Sequence, residues 1–292
     1  MMDYRIKLRF ITPMFGHGAT DAPEIRPSAI RGQLHNWFRL LGGTIVQERA
    51  VFGGIRQKGR FSGHNTTMAS KIAVRVANVV GSTGDEPTLP HKADGYAAPR
   101  SAHRMGTTCE IRVFDRLGGI ADSEAAVLFE RALRAWLLMG TLGFRSTRAA
   151  GSFVWECPLF EMPKDAASYA QACSEMIDDA PVRFGILEKE YSKEKIEQAR
   201  RLVSDSLGGH GVAGGKDDLM NLHQPLGCIK PTRKTSPLKY RIVACGESYR
   251  ILAVWDGREE VTGNASGDLD GVIDLLVEKK PNLGSLLRAA FG

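Results

Sequence analysis

No stretch of the 292-residue chain approaches the ~18 consecutive apolar residues that a membrane-spanning helix needs. The N-terminus, MMDYRIKLRF, alternates polar and apolar residues instead of presenting a signal-peptide block, so a cytoplasmic protein is expected. Cysteines are few, odd in number and scattered: Cys109, Cys157, Cys173, Cys228 and Cys245, with no Cys-x-x-Cys pair. That spacing argues against a disulfide framework and a zinc ribbon, and for reduced cysteines buried as small hydrophobes. The histidines, His17, His35, His64, His91, His103, His210 and His223, form no His-Glu-x-x-His pattern. No phosphate-binding Gly-x-x-x-x-Gly-Lys-Ser/Thr loop, Gly-x-Ser-x-Gly elbow or dinucleotide fingerprint occurs. No metal and no cofactor are therefore expected. The chain also lacks low-complexity tracts and short-period repeats.

What is present is charge, unevenly placed. The net charge is +6, but residues 1–160 carry 21 Lys and Arg against 13 Asp and Glu, a balance of +8. Residues 161–292 carry 18 against 20. A basic N-terminal half points to a polyanionic partner; a charge that serves only solubility is the alternative.

Residues 4–11, YRIKLRFI, alternate strictly, with Tyr4, Ile6, Leu8 and Phe10 on one side and Arg5, Lys7 and Arg9 on the other. That is the pattern of a half-buried strand. A helix follows in IRPSAIRGQLHNWFRLL, with Ser28 as its expected N-cap. Helical spacing gathers Ile30, Leu34, Trp37, Phe38 and Leu41 on an apolar face. Arg31, His35 and Arg39 line another face, beside Gly32. Strands are expected at 71–80, 107–114 and in FVWECPLF, and a second helix at 123–140. Residues 81–106 show little pattern and read as a long loop. The first 162 residues thus read β-α-β-β-α-β, a ferredoxin-like order also used by RNA-recognition domains, with the first and third strands central and one sheet face open. Residues 163–292 read as a smaller α+β unit, either an elaborated subdomain or a degenerate second ferredoxin-like half. It holds a helix over 192–207 capped by Ser192, a hairpin turning at Gly246-Glu247 and a last helix over about 268–289. The fold class is α+β.

Several constellations bear on chemistry. Arg5, Lys7 and Arg9, with Lys71 and Arg75, place like charges along a sheet face, where they repel unless acids or an anionic ligand sit opposite. The Arg31, His35 and Arg39 stripe suits phosphates, with Gly32 admitting a close sugar-phosphate backbone; a solvated helix face is the alternative. GFRSTRAAGS, residues 143–152, offers Arg145, Ser146 and Arg148 at a turn, where guanidinium groups and backbone N–H groups both suit phosphates. The basic, glycine-rich 53–65 segment adds Lys58 and Arg60. Trp37, Trp136 and Trp155 are expected in the core. Phe15, Phe52, Phe61 and Phe144 flank loop glycines as candidates for stacking on bases. A metal-independent ribonuclease would instead use His35, for instance with Tyr96, or Asp21, whose carboxylate would assist attack by a ribose 2′-hydroxyl.

The run TPMFGHGATDAPEIRPSAIRGQLHNWFRLLGG resembles the N-terminal signature of the RAMP superfamily, the repeat-associated RNA-binding proteins of CRISPR effector complexes. Thr12-Pro13, Arg26-Pro27, Arg31-Gly32, Trp37-Phe38 and Arg39 carry it. QERAVFGG is similar to a second element of the family, LGFRSTRAAGSF to its glycine-rich loop, and RKTSPLKYRIV to a segment of its second half. Thr147-Arg148-Ala149-Ala150 departs from that loop, where Arg-Arg-Gly is usual. The Trp-Phe-Arg helix and the late Ser-Pro-Leu are most like the branch that supplies the first subunit of type III-B (Cmr) effectors. The resemblance implies a non-catalytic RNA-binding subunit of a type III CRISPR ribonucleoprotein in antiviral defence. Its partners would be guide RNA (crRNA), bound near the 3′ end, target RNA and other effector subunits, with no membrane. A RAMP-superfamily endoribonuclease acting on target or precursor guide RNA is the alternative.

Overall fold

The computed structural model describes residues 2–18, 20, 22–54, 68–92, 98–116, 118–206, 236–262 and 269–292. The strands of the N-terminal unit are β1 (Asp3–Phe10), β2 (Ile72–Val80), the hairpin β3 (Thr83–Pro87) and β4 (Pro99–His103), β5 (Thr108–Asp115) and β6 (Phe153–Glu156). β1 buries Tyr4, Ile6, Leu8 and Phe10 and exposes the residues between them. It lies between β5 and β6, antiparallel to both, and β2 pairs with the far side of β5. The order β2-β5-β1-β6 makes the first and third strands of the expected motif central, as a ferredoxin-like fold requires. β3 and β4 pair with one another inside the 81–106 segment that reads as a loop in the sequence. Its strands, TGDEP and PRSAH, lack the β-branched alternation that marks a strand.

Three helices belong to this unit: α1 (Pro27–Leu40), α2 (Ile45–Phe52) and α3 (Ser123–Met139). α1 begins earlier than Ser28 as N-cap implies. Pro27 takes the first helical position, where its missing N–H costs nothing, and Arg26 is the uncapped N-cap. Its buried face is Ile30, Leu34, Trp37, Phe38 and Leu40, with Leu41 just beyond, and each such side chain contributes ~1.5–3 kcal/mol of burial. α2 starts with a reciprocal capping box between Thr44 and Gln47. α3 is capped by Asp122, whose carboxylate accepts from the Ala125 N–H at 2.9 Å, and is buried almost all round in its second half.

The C-terminal unit follows as α4 (Ala166–Ile177), β7 (Val182–Ile186), α5 (Ile196–Ser206), β8 (Leu238–Cys245), β9 (Ser248–Asp256), α6 (Glu259–Thr262), α7 (Leu269–Lys279) and α8 (Pro281–Phe291). α5 starts four residues after Ser192, behind a 3-10 turn at Lys193–Lys195. Where the sequence pattern predicts a single last helix there are two, α7 and α8, because Pro281 cannot continue a helix but opens one readily. The hairpin turns where expected, with Gly246 at φ +65°. Its sheet has the order β7-β9-β8, the first, third and second strands of the ferredoxin-like motif. Among the described residues no fourth strand pairs with the outer edge of β7. α8 packs against β7, and Arg183 donates to the Phe291 carbonyl at 3.0 Å.

The two units share their cores. Val243, Leu252 and Val254 join the cluster under β1, α1 and α3, while Ile11, Ala149 and Val154 join the C-terminal cluster. α4 packs on α3, with the Tyr169 hydroxyl donating to the Leu138 carbonyl at 2.7 Å. Among the described cysteines, Cys109, Cys173 and Cys245 are buried and all are free; burial pushes the Cys109 thiol up to about 12. No described helix is long and apolar enough to cross a membrane.

Candidate nucleic-acid interface

The loop after β1 and the glycine-rich loop before β6 are stitched together by buried polar groups. The Thr12 hydroxyl donates to the Ala149 carbonyl at 2.8 Å and accepts from the Ser152 N–H at 2.9 Å. The Ser152 hydroxyl donates to the same carbonyl at 2.9 Å and accepts from the Ile242 N–H at 3.0 Å. Thr12 and Ser152 are buried, so these bonds replace water that neither group can reach. Further along, the Phe144 N–H bonds the Phe15 carbonyl at 2.9 Å and the Gly151 N–H bonds the Pro13 carbonyl at 2.8 Å. Gly143, at φ +91°, runs so close to Phe15 that a Cβ would strike its carbonyl oxygen. Arg145 and Ala149 flank the 3-10 turn Ser146–Arg148, both in left-handed conformation at φ 62° and 59°. Ala149 stands where the resemblance places a glycine, so the chain bears there the strain that a glycine relieves.

A groove of about 420 Å³ opens between these loops and the start of α1, lined by Phe15, His17, Arg26, Gly32, Gln33 and Phe144, among others. Phe144 is 37% exposed and packs on Phe15, ring centroids 5.2 Å apart. Gly32 is exposed, and a Cβ added to it would meet nothing within 4 Å. Close packing therefore does not explain this glycine; it keeps the helix surface low beside the groove.

The cationic stripe of α1 faces α2. The Arg31 guanidinium donates to the Phe52 carbonyl. His35 Nδ1 lies 2.6 Å from Oε1 of Glu48, and Arg39 Nε donates to the same oxygen at 2.8 Å. The His35 ring stacks on Phe52, centroids 3.7 Å apart. Burial holds the His35 imidazole below its ordinary value, against the pull of Glu48 and with the help of the Arg31 and Arg39 charges. Burial works to raise the Glu48 carboxyl, but the hydrogen bonds of Arg39 and His35 outweigh it and hold it low. The stripe is thus a positioned array in which His35 is committed at one nitrogen and Arg39 keeps an exposed side chain. Sequence pattern alone assigns Glu48 no partner. The Thr44–Gln47 capping box is the signal that marks the start of α2, the helix that carries Glu48.

On the opposite face of the sheet, Arg5 sits directly across from Arg112, and Arg112 across from Arg75. Asp3 takes Arg112 in a two-pronged ion pair at 2.7 and 2.9 Å. The Phe114 ring lies under Arg75 at 5.3 Å and under Arg112 at 4.7 Å. Lys7 stands between Glu110 and Glu156. The open face is therefore a charge mosaic above a groove of about 890 Å³, not a uniformly basic surface.

The structure buries Trp37, Trp136 and Trp155, as expected, but also Phe15 and Phe52, which removes both from the base-stacking candidates and leaves Phe144. Asp21, Lys58, Arg60, Phe61 and Tyr96 lie outside the described residues. Arg145 is exposed, and Ser146 and Arg148 are half-buried in the turn beside Phe144.

A four-stranded antiparallel sheet in ferredoxin-like order, packed against a second, three-stranded sheet unit, with a glycine-rich loop that borders a groove, defines the class of protein. Residues 7–154 match the RAMP superfamily, and the chain belongs to that superfamily. The fold is similar to Cmr1 from Pyrococcus furiosus in its apo form, at 15% identity and TM-score 0.52, covering 87% of this chain and 88% of that one. It is also similar to a chain of the type III-B Cmr-beta complex bound to cognate target RNA, at 10% identity and TM-score 0.59, covering 97% and 100%. A second state of that complex, with AMPPnP and single-stranded DNA, gives 9% identity and TM-score 0.58 over 97% and 99%. No curated protein matches the chain in sequence.

Proposed function

We propose that this protein is a non-catalytic RNA-binding subunit of a type III CRISPR ribonucleoprotein, holding guide RNA near its 3′ end and supporting capture of target RNA. The observation that carries the reading is the groove beside α1. Gly32 leaves its floor open, Phe144 offers an exposed ring among its lining residues, and Arg39 on α1 and Arg145 on the glycine-rich loop are exposed. Arginines beside an open backbone suit phosphates, and an exposed aromatic suits an unstacked base. Fold similarity to chains of Cmr assemblies and superfamily membership support the same assignment. Changing Arg31, Arg39, Arg145 and Arg148 together to Ala should weaken binding of single-stranded guide RNA and flatten its salt dependence. Unaltered affinity would remove the α1 stripe and the glycine-rich loop as the binding surface.

One observation favours the endoribonuclease reading: Glu48 orients His35 as a carboxylate orients a catalytic histidine. Incubating labelled repeat and target RNA with the protein separates the two readings. Cleavage abolished by His35→Ala or Asp21→Ala would replace the non-catalytic assignment.

A further inference from the structure

We propose that His35 recognises the ribose 2′-hydroxyl of the strand that lies along α1. The inference rests on the RNA-binding reading and goes beyond it by naming the group that separates RNA from DNA. Glu48 Oε1 sits 2.6 Å from Nδ1 and also accepts from Arg39 at 2.8 Å. An ionised carboxylate only accepts, so Nδ1 carries the proton. Nε2 makes no hydrogen bond with any described residue, and the side chain is 29% exposed. The ring is fixed from two directions, by Glu48 at Nδ1 and by Phe52 stacked on its face at 3.7 Å. In the neutral imidazole, which burial favours here, Nε2 is an acceptor.

That makes His35 the odd member of its stripe. Arg31 and Arg39 only donate and so match phosphate oxygens, which only accept. An acceptor nitrogen facing a phosphate oxygen is repelled by it. In a sugar-phosphate backbone the one donor is the ribose 2′-hydroxyl. Gly32, just under one helical turn before His35, presents no side chain, and the space over it is open to 4 Å, which gives a sugar room to approach. The array therefore alternates donors for phosphate with an acceptor for ribose.

The test uses the full-length protein and one labelled single-stranded RNA, with its 2′-deoxy and 2′-O-methyl counterparts of the same base sequence. Wild-type protein should bind the RNA about fivefold more tightly than either counterpart, the worth of one net hydrogen bond. His35→Ala should bring that ratio close to one. Glu48→Gln should lower it too, because a glutamine amide can donate to Nδ1 and move the ring proton to Nε2. A cooperative thermal melt and intact RNA after binding accompany each measurement. An RNA preference that survives in folded His35→Ala, or equal binding of all three strands by wild-type protein, overturns the inference while the RNA-binding reading stands. Failure of wild-type protein to bind any strand overturns that underlying reading.

Discussion

Arg241 donates from Nη1 to the carbonyl oxygen of Gly140 at 2.6 Å, from a side chain with 1% of its surface exposed. The same nitrogen reaches the Leu137 carbonyl, and Nη2 donates to the Phe153 carbonyl at 2.6 Å. Gly140 is the C-cap of α3, where helix carbonyls run out of partners. A strand of the C-terminal unit thus caps a helix of the N-terminal one. Arg241→Leu removes the donor and leaves several buried carbonyls unsatisfied, and should cost ~3–5 kcal/mol. Arg241→Lys keeps the charge but not the fork and should recover only part of that loss. Urea unfolding reads both: a midpoint unchanged in the Leu variant would show that the cap carries no stability.

Much of the N-terminal unit is legible in the sequence because its patterns are local. The period-2 alternation of YRIKLRFI and the apolar face of α1 each report burial directly. The β3–β4 hairpin is not, because its residues carry little β propensity and its place is fixed by partners far away. Arg200, from α5, donates to the Pro87 carbonyl at 2.6 Å. The C-terminal unit is legible as strands and helices but not as a repeat of the first, since among the described residues its sheet has three strands and not four. At the interface, helical spacing picks out Arg31, His35 and Arg39 but makes them look equivalent. The structure separates them through Glu48, nine residues beyond Arg39, on a helix whose short length hides its periodicity.

Gly143 tests whether the glycine-rich loop must lie against the loop after β1. Its φ of +91° disfavours any side chain, and a Cβ would collide with the Phe15 carbonyl. Gly143→Ala should therefore destabilise the protein by ~1–3 kcal/mol and push Phe144 away from Phe15. Equilibrium unfolding gives the first effect. A weaker affinity for single-stranded RNA, beyond what the lost stability explains, gives the second.

Stability should fall in two stages as pH drops. His35 and His103 are both held below the ordinary value of 6.5, with burial as the leading cause. The unfolded chain then binds protons more readily than the folded one, so their contribution is complete above 6.5 and is lost as pH falls through the lower folded values. Glu48 and Asp256 are held below their ordinary values of 4.5 and 3.8, so their contributions are lost only at more acid pH. Thermal midpoints measured from about pH 7.5 to about pH 5.5 should decline, and combining His35→Phe with His103→Phe should flatten that decline.

Exposed arginines lie both on α1 with the glycine-rich loop and in the charge mosaic of the open sheet face, and salt dependence tells the two apart. Arg39 projects from α1 and Arg145 from the glycine-rich loop, while Arg75 sits in the mosaic of the open face, over Phe114 and across from Arg112. Each cation that neutralises one phosphate of a single strand adds ~0.7 to the slope of log affinity against log salt. Arg39→Ala and Arg145→Ala should each reduce the slope by that order, and the two reductions should add, because each side chain meets its own phosphate. Arg75→Ala should leave the slope unchanged, since a strand in the groove does not reach the open face. A slope that falls with Arg75→Ala and holds with Arg39→Ala would move the RNA to the sheet face.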